Sequence, residues 1–220
     1  REEVLDASPM RKVQMPRREK KILPAFTAED VAKLLKEPKS NRDAAIILVL
    51  LDSGIRAAEC CDLNIDDVDA SSGAIQVRHG KGDKWRVCYI GPEARKAVWR
   101  LLRERGETPG ATALFVSDTH GNRLTVSGLA AAVERIGKRA GVEHCHPHTF
   151  RRSFAVWSLR AGMDLFRLAR LMGHSDISIL RHYLDLAADD LESAHKEFGA
   201  LEAMLANTKG ATRRQKDDRG

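Results

Sequence analysis

Residues 144–183 read HCHPHTFRRSFAVWSLRAGMDLFRLARLMGHSDISILRHY. Pro147 suits the first turn of a helix, and the spacing of His148 and Arg151 puts both on one face of it. Phe154, Val156, Trp157 and Leu159 give the same helix a core-facing side. Helices are expected over about 148–161 and 164–172, the second halted by Gly173. Ser175 suits the N-cap of a short helix over about 175–181, and Tyr183 follows it. Cationic groups able to hold a phosphate are therefore followed by a phenol able to attack one.

The composition permits that chemistry without demanding it. The chain has 220 residues, 43% hydrophobic and 31% charged, enough for one sizeable core. Lys and Arg number 37 against 31 Asp and Glu, for a net charge of +6 and a pI of about 9.3. That surplus favours a polyanionic partner, although a merely basic soluble protein has the same balance. Cys60, Cys61, Cys88 and Cys145 have no CxxC spacing and are expected to be reduced thiols of a cytoplasmic protein. The longest apolar run, Ala44 to Leu51, is too short to span a bilayer, so no membrane role is expected.

Working outward from the opening stretch, residues 1–25 are basic, contain Pro9, Pro16 and Pro24, and lack a hydrophobic period. They read as a linker or arm. Thr27 is expected to cap a first helix, with Asp30 at its third position. A second, buried on all sides, covers about 41–52 and stops at Gly54, and a short one runs from Arg56 to Leu63. Residues 74–78 and 86–90 alternate like strands around the turn Gly80-Lys81-Gly82-Asp83-Lys84, predicting a hairpin. Pro92 opens a helix to about 105, Leu114-Phe115-Val116 reads as a short strand, and a helix follows at about 125–140. Leu191, Ala194, Phe198, Leu201 and Leu205 recur at helical spacing over 189–206. The fold class is mainly α with a small antiparallel β-sheet. A domain is expected over 26–207, followed by a disordered tail at 208–220.

Taken singly, the candidate residues are ambiguous. Arg56 begins a helix, where a guanidinium beside free backbone N–H groups can bind an anion, and Glu59 one turn on can orient it. The pair is equally readable as a surface ion pair. Lys81 and Lys84 at a Gly-flanked hairpin tip either solubilise the turn or carry an ammonium into a groove, with Arg78 and Arg86 adding charge at the strand ends. His174 can donate to a phosphate or simply cap a helix, and a tyrosine at Tyr183 is most often half-buried with its hydroxyl paired. His144, Cys145, His146 and His148 crowd too closely for a tetrahedral zinc site, so no metal or other cofactor is expected.

Order and spacing together are more specific. Arg56 in G-I-R-x-x-E-x-x-x-L, Lys81 in G-K-G-x-K, His148-x-x-Arg151, Leu171-Met172-Gly173-His174-Ser175 and Tyr183 resemble the tyrosine recombinase (phage integrase) family, most closely its Xer-like and transposon or integron members. The resemblance covers about 26–205. It implies the recombinase catalytic-domain fold and a site-specific enzyme that cuts and rejoins double-stranded DNA through a 3′-phosphotyrosine. Tyr183 would be the nucleophile, Arg56 and Arg151 the clamp on the non-bridging oxygens, and Lys81 the general acid. His148 and His174 would hydrogen-bond the phosphate, His148 being the better base for Tyr183. Arg78, Lys84, Arg86 and Arg152 are expected to contact DNA.

The resemblance further implies a monomer in free solution and a tetramer on DNA, in which segment 189–206 docks on a neighbour or, alternatively, on its own domain. Two departures stand out: Arg152 and Asp185 occupy positions where the family often has His. The family usually carries an N-terminal DNA-clamping domain, and this sequence starts at the linker, so it is expected to be a fragment or truncated form that binds DNA weakly by itself. A type IB topoisomerase-like nicking-closing enzyme and a non-catalytic DNA-binding relative are the competing readings.

Overall fold

A computed structural model describes residues 24–78, 85–106, 112–118, 121–173 and 183–184. Thr27 caps α1 (Ala28–Lys36) through a reciprocal pair: its hydroxyl accepts from the Asp30 N–H at 3.1 Å, and Asp30 accepts from the Thr27 N–H at 3.0 Å. Ser40 caps α2 (Asn41–Ser53), whose Ala45, Ile46, Ile47, Val49 and Leu50 are fully buried. Asp52 is exposed and Leu48 and Leu51 half-buried, so α2 is less completely enclosed than its apolar run predicts. The helix packs against α4, α5 and α6 and forms the centre of the core.

After α2 come α3 (Ala57–Asp62), a 3-10 turn at Ile65–Asp67, and the antiparallel strands β1 (Ala74–Val77) and β2 (Arg86–Tyr89). Next are α4 (Pro92–Arg105), α5 (Val126–Ala140), α6 (Pro147–Arg160) and α7 (Leu165–Met172). Pro92 and Pro147 sit in the first turns of α4 and α6, where a missing N–H costs no helical bond. The architecture is mainly α with one small antiparallel sheet, as the sequence predicts.

Two expectations need correction. Residues 114–116 do not form a strand: only isolated bridges, Asn64 with Ala113 and Val116 with Arg123, are made here, and neither extends into a ladder. Trp157 does not face the core. It is 39% exposed, while its indole N–H donates to the Phe26 carbonyl at 2.9 Å. That bond, the Phe26 N–H to the Ser153 hydroxyl (2.8 Å) and the edge-on contact of Phe26 with Phe150 (4.9 Å between centroids) fasten the start of the domain to α6.

All four cysteines are buried free thiols. Burial raises the pKa of Cys61 to about 11 and those of Cys88 and Cys145 to about 12, so they pack as protonated groups. A second, smaller cluster joins α6 to α7: Ala155, Leu168, Ala169 and Met172, flanked by Phe154, Leu159, Met163, Leu165 and Tyr183. Residues 1–23 of the expected arm at 1–25, the hairpin tip, the helices over 175–181 and 189–206 and the tail lie outside the described residues. No helix among the described residues is long and apolar enough to cross a membrane.

Candidate active site

Arg56 is the N-cap of α3, and its interactions with Glu59 begin in the backbone. The Arg56 N–H donates to Glu59 Oε2 at 2.7 Å, and Arg56 Nη1 to Glu59 Oε1 at 2.8 Å. The same carboxylate also accepts a two-pronged bond from Arg86, at 2.7 Å to Oε1 and 2.6 Å to Oε2. Glu59 is only 6% exposed. Burial alone would raise its pKa, but the bonds from Arg86, then the Arg56 N–H and guanidinium, hold it down at about 2. Glu59 is therefore an ionised carboxylate shared by two guanidiniums.

A third guanidinium, Arg151 in α6, is buried as the helical phase of its neighbours dictates. Its Nη1 donates to the Gly54 carbonyl, and its Nη2 to the Met172 carbonyl at 2.7 Å. Desolvation, followed by repulsion from Arg56, lowers its pKa to about 10, with Glu59 and the Tyr183 phenol favouring the charged form. It remains a cation at neutral pH.

The three arginines converge on the end of α7. Leu171 O accepts from Arg86 Nε at 3.0 Å, Met172 O from Arg151, and Gly173 O from Arg56 Nη2 at 3.1 Å. These consecutive carbonyls have no partner within the helix and form the negative end of its dipole. Left-handed glycines make the approach possible. Gly54 (φ +61°) ends α2 and Gly173 (φ +64°) ends α7, each turning a carbonyl toward a guanidinium. A cluster of like charges is thus held together by one carboxylate and a row of oriented carbonyls.

His148 is exposed in the first turn of α6. His144 and His146 lie in the preceding turn, where the His144 carbonyl accepts from the Thr149 hydroxyl at 2.7 Å. Tyr183 is half-buried against the α6–α7 cluster. Among the residues expected to touch DNA, Arg78 pairs with Asp67 at 2.5 Å and lies over the Trp85 ring, and Arg152 donates to the Pro24 carbonyl at 3.1 Å. Arg86 is turned inward, its side chain 11% exposed. Lys81, Lys84 and His174 lie outside the described residues. The structure therefore unites Arg56, Arg151 and the end of α7, and shows Glu59, the expected partner of Arg56, bonded to Arg86 as well.

Sequence reasoning missed the inward Arg86. The alternation Trp85, Val87, Tyr89 resembles a core-facing set, yet those residues are 66%, 44% and 56% exposed. The signal lay in the register. Cys88 pairs with Ile75 and Arg86 with Val77, so Arg86 shares the face of two buried aliphatics.

Comparison with known proteins identifies the family and the fold. Residues 24–189 match the model of the phage integrase family. Tyrosine recombinase XerC of Azotobacter vinelandii is 36% identical over 181 residues, covering 81% of this chain and 56% of the relative. Tyrosine recombinase XerA of Thermococcus kodakarensis is 34% identical over 185 residues, covering 82% and 64%. The chain thus spans less than two thirds of the length of either curated relative.

Among solved structures, a XerA recombinase superposes with a TM-score of 0.73 at 28% identity, covering 84% of this chain and 67% of that one. XerH site-specific recombinase bound to a palindromic difH substrate gives 0.66 at 28% identity, covering 78% and 52%. The ordered motifs, the fold and these likenesses have one meaning: the chain belongs to the phage integrase family of tyrosine recombinases.

Proposed function

We propose that this chain is the catalytic domain of a site-specific DNA recombinase. It cuts and rejoins duplex DNA through a 3′-phosphotyrosine and needs neither metal nor ATP. The observation that carries this reading is the convergence of Arg56 and Arg151 on adjacent carbonyls at the end of α7, in a domain where Tyr183 packs beside the same helix. Two guanidiniums held in place before substrate arrives can meet the charge that grows on the non-bridging oxygens, a stabilisation worth on the order of 100-fold or more in rate per donor.

In the proposed step, Tyr183 Oη attacks phosphorus, the Tyr–O–P bond forms and the P–O5′ bond breaks. His148 accepts the phenol proton and Lys81 protonates the departing 5′-oxygen. His174 donates to the phosphate. Rejoining reverses each transfer, and the phosphotyrosine retains the bond energy of the phosphodiester. A XerH relative has been crystallised on its difH substrate. We extend DNA binding to this chain, with assembly as a tetramer on DNA, a monomer in free solution, and a cytoplasmic setting.

The test is a suicide duplex whose cleaved strand ends close to the nick, so that the 5′-hydroxyl fragment diffuses away. The wild-type chain should accumulate a denaturation-resistant adduct, and Tyr183→Phe should form none. Equal adduct from both proteins overturns the nucleophile. Site-independent relaxation of supercoiled DNA would identify a nicking-closing enzyme instead.

A further inference from the structure

Arg86 stands where a basic strand end beside a hairpin tip would be taken for a DNA contact, but its geometry is otherwise. Two of its nitrogens are bonded to Glu59 and the third to the Leu171 carbonyl. Its side chain is 11% exposed, compared with 34% for Arg56. We propose that Arg86 is a positioning residue: it neutralises Glu59 and ties β2 to the end of α7, leaving Arg56 with an uncancelled positive charge for the phosphate. The proposal rests on the recombinase reading and assigns no phosphate contact to Arg86 itself.

The charge count carries the first half. One carboxylate shared by two guanidiniums leaves a net single positive charge, and Arg56 is the more exposed of the two cations. Without Arg86, the carboxylate's charge falls chiefly on Arg56, which is bonded to it through both backbone N–H and guanidinium, and that bonded pair sums to zero. The attraction Arg56 exerts on a phosphate would then be largely cancelled at close range, where the low dielectric makes cancellation matter most.

The second half is spatial. Lys81 precedes Arg86 by five positions in the sequence, and His174 follows Leu171 by three. The Arg86–Leu171 bond is a direct side-chain tie between these two segments. The fit is close: a Cβ on Gly173 would stand 2.9 Å from Arg86 Cδ.

The experiment uses the full chain and measures two quantities separately: the single-turnover rate of adduct formation on the suicide duplex, and the affinity for uncleaved duplex as a function of salt. Arg86→Gln should lower the rate about 100-fold, the scale of a misplaced or cancelled transition-state group, while affinity stays within about 2-fold. Adding Glu59→Gln to Arg86→Gln should recover about 10-fold in rate, because the carboxylate that captures Arg56 is gone. Arg86→Lys, which keeps the charge but loses the fork, should fall between wild type and Arg86→Gln.

Arg86 would instead be a DNA contact if Arg86→Gln weakened affinity and flattened the salt dependence by about 0.9, one phosphate's share, at an unchanged rate. A double variant no faster than Arg86→Gln also overturns the proposal. A DNA-free measurement separates this inference from the recombinase reading. Followed by carbon NMR, the Glu59 carboxyl should titrate higher in Arg86→Gln than in wild type, and an unchanged titration refutes the pairing role. A wild-type protein that binds duplex yet forms no adduct would refute the recombinase reading, while the titration still decides whether Arg86 governs Glu59.

Discussion

At the scale of single residues, Glu59 is the most consequential side chain outside the expected catalytic set. Its folded pKa of about 2 lies below the ordinary 4.5, because the bonds from Arg86 and Arg56 outweigh the opposing effect of burial. A depressed carboxyl stabilises the fold above its unfolded pKa and loses that contribution as pH falls through the folded value. The stabilisation is on the order of 3 kcal/mol, complete above about pH 4.5 and lost toward pH 2. Thermal unfolding across this window should show a steep acid limb in wild type and a flatter one in Glu59→Gln. Identical limbs would mean that other carboxylates carry the acid sensitivity.

Lys81 supplies a second residue-scale test. As the proposed general acid, its replacement by Ala should slow cleavage of an ordinary phosphodiester about 100-fold or more. A 5′-bridging phosphorothiolate, whose thiolate leaves without a proton, should be affected far less. Equal losses on both substrates would make Lys81 a phosphate-binding group, or pass the acid's role to Lys84.

At the scale of elements, the end of α7 is where the site is assembled. It depends on two left-handed glycines. Gly54 offers its carbonyl to Arg151, and a Cβ there would stand 2.2 Å from the Phe154 ring. Gly54→Ala combines a strained backbone with a clash and should cost about 2–4 kcal/mol in denaturant unfolding. The same variant should form adduct more slowly even where it remains folded, because the carbonyl that orients Arg151 has moved. Wild-type stability and rate would show that the turn is not needed to hold the guanidinium.

Helix ends were legible in the sequence at this scale, since Thr27, Gly54, Pro92, Pro147 and Gly173 each announce a boundary through local chemistry. The faces of β2 were not. Its exposed positions hold Trp85, Val87 and Tyr89, while a charged residue points inward because its partner, Glu59, is 27 positions away in sequence. The segment 114–116 failed as a strand for a related reason: apolar composition announces burial, but a ladder also needs a neighbour alongside.

At the scale of the whole molecule, the first half of the domain provides Arg56, Glu59 and Arg86, and the second half provides Arg151, the end of α7 and Tyr183. The α2-centred core holds the halves together. Arg56 and Arg151, the two arginines proposed as the phosphate clamp, stand out in the sequence because their motifs are local. Glu59 was readable as a partner of Arg56, but its sharing with Arg86 and the three oriented carbonyls were not, because they exist only once β2, α3, α6 and α7 have packed. The central claim is that this assembly directs Tyr183 to a DNA phosphate. The most direct measurement is protease digestion of the suicide-substrate adduct, followed by mass mapping of the peptide that carries the nucleotide. The account predicts a single modified peptide containing Tyr183, linked through its phenol to a 3′-phosphate. Linkage through any other residue, or to a 5′-phosphate, would contradict it.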